Sequence, residues 1–288
     1  MQSAGKNFAC RDFRLKTILS ILKLVMSCDL KTKEGIPDYF YKYRSLSGES
    51  RERTLSSIVN GGLWFARPSD FMDKDDCRIP VSYETTPEKF RPFADAALSA
   101  VMKNLSADER AALIDDAIEN RIYADPDRIE RFRNWHEQHT IERGVLSLCS
   151  TNVSERMWHE YADDHRGCCL EFKKSERGMF ANVEKARYEE TLPTVNAYEI
   201  PIVEMNNAIM LTKAREFGFE HEWRIWDPRG PGYWKYNEGD LTGLIFGHLT
   251  PTEDKNLVAY LVRRSHPLAK LYDAVKAENG LRIIPWKG

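Results

Sequence analysis

The sequence predicts an α+β fold in which a mainly antiparallel or mixed sheet is interrupted by a helical insertion. Short segments rich in aromatic and β-branched residues, which are typical of strands, occur on both sides of the chain's middle part. Residues 87–142 instead carry apolar residues at helical spacing. The predicted strands do not alternate regularly with helices, which argues against a doubly wound parallel sheet.

The part of the chain before the insertion predicts two strands, one helix and one acidic loop. Gly61 and Gly62 end the predicted helix. Three apolar helix positions are expected to face the core, namely Leu55, Ile58 and Val59. In chain order, the elements are a strand over 39–45, a helix over 51–60, a strand over 63–66 and the loop 68–76.

The insertion predicts three helices, and strands return after it. Ser106 and Glu109 have the spacing of a capping box, which marks the start of the second helix. Asp125 followed by Pro126 opens the third. Ser154 is the predicted N-cap of a later helix over 154–163. The predicted strands after the insertion are residues 145–149, 167–172, 223–227 and 244–246.

Composition limits the function classes. The 288 residues are 42% hydrophobic, and Lys+Arg 42 against Asp+Glu 44 leave a net charge of −2. This balance argues against disorder and against a protein held on nucleic acid by bulk positive charge. The six cysteines form no CxxC pair, which predicts reduced thiols and a cytoplasmic protein.

The N-terminal region predicts no membrane span and no membrane partner. Its apolar stretch, residues 18–26, is too short to cross a bilayer and contains Lys23. It resembles a signal peptide only superficially, because no small-residue cleavage site follows it. We expect residues 1–35 to be an extension, helical or poorly ordered, ahead of one catalytic-like domain over 36–288. An upstream translation start is the other interpretation.

Familiar cofactor and metal motifs fail in this sequence. It has neither GxGxxG nor GxxxxGK[ST], and His136 and His139 are one residue too close for HExxH. We therefore expect no bound metal. The four aspartates of the acidic loop could hold a divalent cation, but Asx turns explain them better. They are Asp70, Asp73, Asp75 and Asp76.

Two segments combine aromatic and ionisable residues more densely than a plain connector does. The first runs from the strand residues 146–152 into 157–167, and the second is 217–224. In an extended chain, Glu220 and Glu222 point to the same face. Their like charges then favour one raised pKa, so that one carboxylate could stabilise positive charge while the other handles a proton. The alternative is an exposed polar strand face with Trp223 and Ile225 turned inward.

In order, these motifs resemble a bacterial family known as a domain of unknown function, DUF2971. The resemblance covers about residues 38–250. Three positions depart from the family pattern, with Met72 in place of Asn, Glu160 in place of His and Phe217 in place of Trp. The segments that carry the resemblance are 41–44 (YKYR), 63–68 (LWFARP), 71–76 (FMDKDD), 148–150 (LCS), 157–167 (MWHEYADDHRG) and 217–224 (FGFEHEWR).

The motif order also resembles ADP-ribosyltransferases of the arginine–serine–glutamate type. Arg44, the segment Ser150-Thr151-Asn152 and Glu220-x-Glu222 follow one another as in that family, although Asn152 replaces the last serine. A histidine–tyrosine–glutamate variant would use Tyr43, Tyr161 and Glu222 instead. Both variants end on Glu222, and the sequence leaves the choice between them open.

This resemblance implies a split-sheet transferase with NAD as co-substrate. Glu222 would stabilise the oxocarbenium-like centre that forms when the nicotinamide–ribose bond breaks, and Glu220 would orient or deprotonate the acceptor. Arg44 would hold the pyrophosphate, whereas Arg224 is expected to pair with a carboxylate. The segment Ser150-Thr151 would buttress the nicotinamide ribose, and Tyr161 or Trp158 would stack on nicotinamide.

The resemblance further implies a mono-ADP-ribosyltransferase that acts as a toxin or defence effector. Its target would be a protein or a nucleic acid, and a neutralising antitoxin protein would be a further partner. One alternative is a metal-dependent nuclease or hydrolase using Asp73, Asp76 and Glu222. Another is a non-enzymatic binding module in which the aromatic residues of 223–236 form a recognition surface.

Overall fold

The computed structural model describes residues 35–227 and 229–288. Their contacts divide them into two compact units. The larger unit consists of residues 35–76, 142–191 and 211–288, and the smaller of 77–141 and 192–210. The prediction for the N-terminal extension, with Cys10 and Cys28, lies outside the described residues.

The strands and helices of the described chain are numbered in chain order. The strands are β1 (Tyr39–Arg44), β2 (Gly62–Phe65), β3 (Val81–Ser82), β4 (Gly144–Cys149), β5 (Cys168–Lys173), β6 (Glu184–Lys185), β7 (Arg187–Glu189), β8 (Val195–Asn196), β9 (Thr212–Ala214), β10 (Glu222–Asp227), β11 (Gly232–Lys235), β12 (Leu241–Phe246), β13 (Lys270–Ala277) and β14 (Gly280–Pro285). The α-helices are α1 (Gly48–Asn60), α2 (Pro87–Val101), α3 (Ala107–Glu119), α4 (Pro126–Ile141), α5 (Glu155–Tyr161), α6 (Ile202–Leu211) and α7 (Thr252–Ser265).

The larger unit is built on a mixed eight-stranded sheet with the strand order β14-β13-β12-β5-β1-β4-β10-β6. The pair β12–β13 is parallel and the other pairs are antiparallel. This agrees with the predicted α+β class. Within the described ladder, β1 and β4 share only the pair Tyr41 opposite Cys149, whereas β1 and β5 share six. The sheet therefore opens between β1 and β4.

The two faces of this sheet pack against different helices. On one face, alternate strand residues such as Phe40, Leu148 and Trp223 join Ile58 of α1 and Val258 of α7 in the main apolar core. Because successive residues of a strand point to opposite faces, the intervening residues build the second face. There α5 contributes to a smaller core whose members include Tyr43, Cys149, Met157, Trp158 and Cys169.

The predicted elements of the larger unit are largely present, but one helix residue that was predicted to face the core is exposed. Gly61 ends α1 in the left-handed conformation, at φ 64°, as its position predicts. Val59, however, is 47% exposed. The buried helix positions are Thr54, Ser57 and Ile58, and the next residue lies about 100° further around the helix, outside that stripe.

The smaller unit contains the three helices that the insertion predicts. The capping box is confirmed, since Ser106 accepts a hydrogen bond from the Glu109 amide and the Glu109 carboxylate accepts one from the Ser106 amide. The third helix, α4, begins at Pro126 as predicted. This unit also takes in residues 192–210, where Tyr198 packs on Phe93 with ring centroids 5.0 Å apart. Residues 192–210 were not part of the predicted insertion.

Candidate functional site

Five charged side chains of the larger unit meet in its interior and form what we call the charge cluster. Each of them is at least nine-tenths buried. Buried charges are rare in proteins unless they are paired or serve a function, so the cluster is the first candidate for a functional site. Its members are Asp76, Lys213, Glu220, Glu222 and Arg224.

A turn, and not strand alternation, brings Glu220 and Glu222 together. Glu220 ends the 3₁₀ segment Arg215–Glu220, His221 adopts the left-handed conformation at φ 44°, and Glu222 is the first residue of β10. The expectation of an extended chain through both carboxylates was therefore wrong in its geometry. Both carboxylates nevertheless approach the same ammonium, at 2.5 Å from Lys213 Nζ for Glu220 Oε2 and 3.6 Å for Glu222 Oε2.

Arg224 is the fully buried centre of the charge cluster. Its guanidinium donates to both oxygens of Asp76, at 2.7 Å each, and to both oxygens of Glu222, at 2.9 and 2.8 Å. Two bidentate pairs use the planar fork of arginine in a way that lysine cannot reproduce. The expectation that Arg224 pairs with a carboxylate is confirmed, as is the inward position of Trp223 and Ile225.

Tyr161 connects the cluster with the surface. Its hydroxyl donates to Glu220 Oε1 at 2.6 Å, and 41% of the residue is exposed. Behind the carboxylates, the Tyr188 hydroxyl accepts from the Glu222 amide at 2.8 Å. The Phe217 ring lies 4.5 Å from Lys213 Nζ. Aromatic side chains thus surround the carboxylates, and the half-exposed tyrosine offers the contact with solvent.

The environment pushes the pKa values of the two glutamates apart. Burial and the charge of Glu222 raise the pKa of Glu220 above its ordinary value, against the opposing effect of Lys213. Burial would also raise the pKa of Glu222, but the charge and hydrogen bonds of Arg224, together with Lys213, lower it to about 2. At neutral pH, Glu222 is therefore a fixed anion, while Glu220 is the carboxyl group that can exchange a proton closer to neutrality.

Several of the predicted ligand residues lie directly after β4 and on α5. The Ser150 hydroxyl donates to the His221 carbonyl at 3.3 Å, and the Thr151 carbonyl accepts from the Tyr43 hydroxyl at 2.9 Å. Trp158 is 0% exposed, and its Nε1 donates to the Asn152 carbonyl. Of the two aromatic candidates for stacking, only Tyr161 presents a ring to solvent, because Trp158 is buried in the smaller core.

Register separates Arg44 from Glu222. Arg44 lies opposite Cys168, which belongs to the main core beneath α1 and α7, whereas Tyr43 lies opposite Cys169 on the other face. Glu222 pairs with Cys149 of that second face. The pleat therefore places Tyr43 on the side of the charge cluster and Arg44 on the opposite side. Arg44 Nε is buried without a hydrogen-bond partner, and burial lowers the pKa of the guanidinium.

Two of the three residues of the metal alternative are arranged around a cation of the protein itself. Asp76 and Glu222 both bind Arg224, whereas Asp73 accepts from the Asp75 amide in the loop. Among residues 35–227 and 229–288, no group of three or more His, Cys, Asp or Glu side chains is arranged to hold a metal ion. The four cysteines of these ranges are buried and form no disulfide bond.

The two histidines of the zincin-like motif have local partners. His136 Nδ1 contacts the Tyr83 hydroxyl at 3.1 Å, and His139 Nδ1 contacts the Trp135 carbonyl at 2.7 Å. They hold their own helix and its neighbours in place, as expected from their spacing.

The aromatic residues of 223–236 do not form one surface. Trp223 and Tyr236 are 5% and 7% exposed and belong to the main core, while Tyr233 is 37% exposed. A recognition surface formed by the aromatic residues of this segment would therefore lack Trp223 and Tyr236.

Sequence reasoning missed Lys213 and the role of Asp76. Lys213 follows an apolar helix as a single lysine and has no motif around it, so no sequence signal marks it. Asp76 was one of four loop aspartates, and only the tertiary structure distinguishes it from its neighbours.

Comparison of the chain with protein-family models, curated proteins and solved structures finds no match in any of the three. None of the helices in the described ranges is long and apolar enough to cross a membrane.

Proposed function

We propose that the chain is an NAD-dependent mono-ADP-ribosyltransferase, a toxin or defence effector that modifies a protein or nucleic-acid target in the cytoplasm. One observation carries this proposal. Glu220 and Glu222, two residues apart, share one buried charge cluster in which their pKa values are pushed in opposite directions. Pairs of titratable groups separated in this way are typical of acid–base sites.

The two carboxylates suit two requirements of glycosyl transfer from NAD, namely stabilising a positive charge and accepting a proton. Breaking the bond between nicotinamide and ribose leaves positive charge at the ribose carbon. Glu222 remains ionised and is held rigidly by Arg224, so it can stabilise that charge without reorganising. Glu220, whose pKa is raised and which binds the half-exposed Tyr161, is suited to accept the proton of the attacking group.

The sheet supports the variant that uses Tyr43, Tyr161 and Glu222. Tyr43 lies on β1 and Glu222 begins β10, with β4 between these two strands, and the sheet opens between β1 and β4. Tyr161 of α5 binds Glu220 of the charge cluster. Tyr43 lies on the same face as Cys149, the residue opposite Glu222. The pyrophosphate role of Arg44 finds no support, because its register directs it to the other face.

Release of nicotinamide tests the proposal without knowledge of the acceptor. Purified protein is incubated with NAD, alone and with a cell lysate, and nicotinamide is quantified by chromatography while labelled NAD reports transfer. We expect release in the wild type and a loss of about 10²-fold or more in Glu222→Gln, the scale seen when one electrostatic contact to a transition state is removed. Glu220→Gln should reduce transfer to the acceptor more than it reduces hydrolysis.

Asp240→Asn is the matched control. Asp240 is also a buried carboxylate of the larger unit, 7% exposed, and it accepts from the Asn237 amide outside the charge cluster. It should retain activity, and thermal unfolding of every variant separates lost chemistry from lost folding. The absence of nicotinamide release in a folded wild type would sink the proposal. Activity that a chelator abolishes would instead favour the metal-dependent hydrolase.

An antitoxin partner is a separate part of this proposal. It requires that expression of the chain alone slows growth and that Glu222→Gln relieves the effect. A folded Glu222→Gln variant that is equally toxic would exclude NAD chemistry as the cause.

A further inference from the structure

Lys42 lies where β1 and β4 separate. It follows Tyr41, the residue that forms the described β1–β4 pair, and it is half-buried. Its Nζ donates to the Ser147 carbonyl of β4 at 2.6 Å. The lysine side chain therefore reaches across the opening of the sheet and fixes the facing strand at one point.

Ser147 links this lysine to the carboxylate of Glu222. In the β4–β10 ladder Ser147 stands opposite Arg224, and its side chain hydrogen-bonds Glu222. One residue thus holds the lysine with its carbonyl group and the glutamate with its side chain. Lys42 and Glu222 are therefore linked through a single residue of β4.

We propose that Lys42 is a positioning residue of the same site, which holds Ser147 against Glu222 and whose charge sets the net charge of the cluster. This inference rests on the proposed function for its kinetic consequence. The residues that link Lys42 to the site are not those of the transferase motifs, so it adds a component that the family resemblance does not supply.

The protonation state of Lys42 changes the net charge of the site. With all groups ionised, the three carboxylates Asp76, Glu220 and Glu222 and the two cations Lys213 and Arg224 sum to a net charge of −1. A protonated Lys42 brings the total to zero. A net negative site attracts the positively charged nicotinamide ring of NAD, and a neutral site attracts it less.

Lys42 leaves β1 on the same face as Arg44, since its ladder partner Leu170 belongs to the main core, and its Nζ reaches β4 through the opening of the sheet. The charges that act on its ammonium come from four elements. Arg44 lies on its own strand, Glu222 on β10, Glu220 on the 3₁₀ segment and Lys213 on β9. Burial, with Arg44 and Lys213, lowers the pKa of Lys42 to about 7, while the two glutamates oppose that shift. Above pH 7 the lysine is therefore neutral and the site is anionic, and below pH 7 the lysine is charged and the site is neutral.

The pH dependence of KM for NAD tests the kinetic consequence. If the anionic state binds NAD, a single ionisation near pH 7 raises KM about tenfold at pH 6. Lys42→Met should abolish this rise, and Lys42→Arg, which stays charged, should hold KM at its acid value throughout. Lys255→Met is the control, because Lys255 is a partly buried lysine paired with Asp273 at 2.6 Å outside the site. A wild-type rise that persists in Lys42→Met would overturn the inference.

Competitive acetylation tests the same inference without any enzymatic activity. Lysines are labelled from pH 6 to 10 and each is quantified by mass spectrometry. Lys42 should label with a midpoint near 7, against about 10.4 for an ordinary lysine side chain. Removing a neighbouring negative charge, in Glu222→Gln or Glu220→Gln, should move the Lys42 midpoint to lower pH.

The outcomes separate the two proposals. Nicotinamide release together with a Lys42 midpoint near 10, or with a midpoint that neither glutamine variant moves, overturns the role of Lys42 and leaves the transferase standing. A midpoint near 7 that both variants lower, in a protein that releases no nicotinamide, supports the coupling of Lys42 to the carboxylates and refutes the transferase.

Discussion

Replacing Arg224 by methionine should destabilise the protein more than any change to its exposed charges. Arg224 is 0% exposed and donates four hydrogen bonds, at 2.7 to 2.9 Å, to two buried carboxylates. In Arg224→Met, Lys213 Nζ lies 3.5 Å from Asp76 and 3.6 Å from Glu222, so one ammonium replaces the two bidentate pairs. Removing one partner of a buried ion pair costs about 3–5 kcal/mol, because the other charge stays buried without compensation.

Urea unfolding at pH 7 measures this loss. A cost of about 3–5 kcal/mol is a large fraction of the roughly 5–15 kcal/mol by which a protein is stable. With a slope of about 3 kcal/mol per M, the midpoint should fall by about 1–1.7 M. The urea midpoint of Arg224→Lys should lie between those of the wild type and Arg224→Met, since an ammonium cannot bind both carboxylates in bidentate fashion.

Arg229, two residues after the end of the same strand, supplies a matched control. It also binds a carboxylate in bidentate fashion, that of Asp227, but its side chain is 66% exposed. Exposed pairs contribute about 0–1 kcal/mol, so Arg229→Met should leave the midpoint almost unchanged. A loss in Arg224→Met below about 1 kcal/mol, or equal to that in Arg229→Met, would refute the reasoning.

The pH dependence of the Arg224→Met loss gives a second check. Without the guanidinium, burial raises the pKa of Glu222, so the folded variant binds protons more readily than the unfolded chain does. Its stability is then greatest at low pH and falls as the pH rises through the raised pKa. The difference from the wild type should therefore shrink between pH 7 and pH 4.

Three further changes are predicted from the described contacts. In the wild type the pKa of Glu222 is lowered to about 2 from an ordinary value of 4.5. The contribution of Glu222 to stability is therefore complete above about pH 4.5 and should be lost as the pH falls towards 2. Urea midpoints measured across this range will show the loss. Ser106→Ala removes the capping box with Glu109 and should cost about 1 kcal/mol in urea unfolding, and an unchanged midpoint would contradict the cap. Gly167→Ala would place a Cβ 2.1 Å from the Arg44 carbonyl oxygen, a backbone atom, and should cost about 3 kcal/mol or prevent folding, whereas a normal thermal transition would show that the close approach is relieved.

The local elements were predictable because their causes are local. The capping box at Ser106, the proline start of α4 and the left-handed glycine after α1 each depend on residues within one turn of the chain. The hairpin of β13 and β14 was missed although the dipeptide Asn279-Gly280, which is typical of hairpin turns, lies at the connection. That omission was a failure to use information present in the sequence.

The charge cluster depends on both local and long-range information. That two glutamates stand two residues apart beside an arginine is read directly from the sequence, and like charges in proximity favour separated pKa values. Their geometry is not readable in the same way, because His221 takes a left-handed conformation that breaks the expected extended chain.

The tertiary structure also chose the partners of those residues. Asp76 reaches Arg224 across 148 positions of sequence, and strand register decided that Tyr43, not Arg44, faces the cluster. Register changes the facing of every residue when it shifts by one, and spacing along the chain says nothing about it. Residue types and local turns are therefore written in the sequence, whereas pairing, burial and charge environment arise only when the strands assemble.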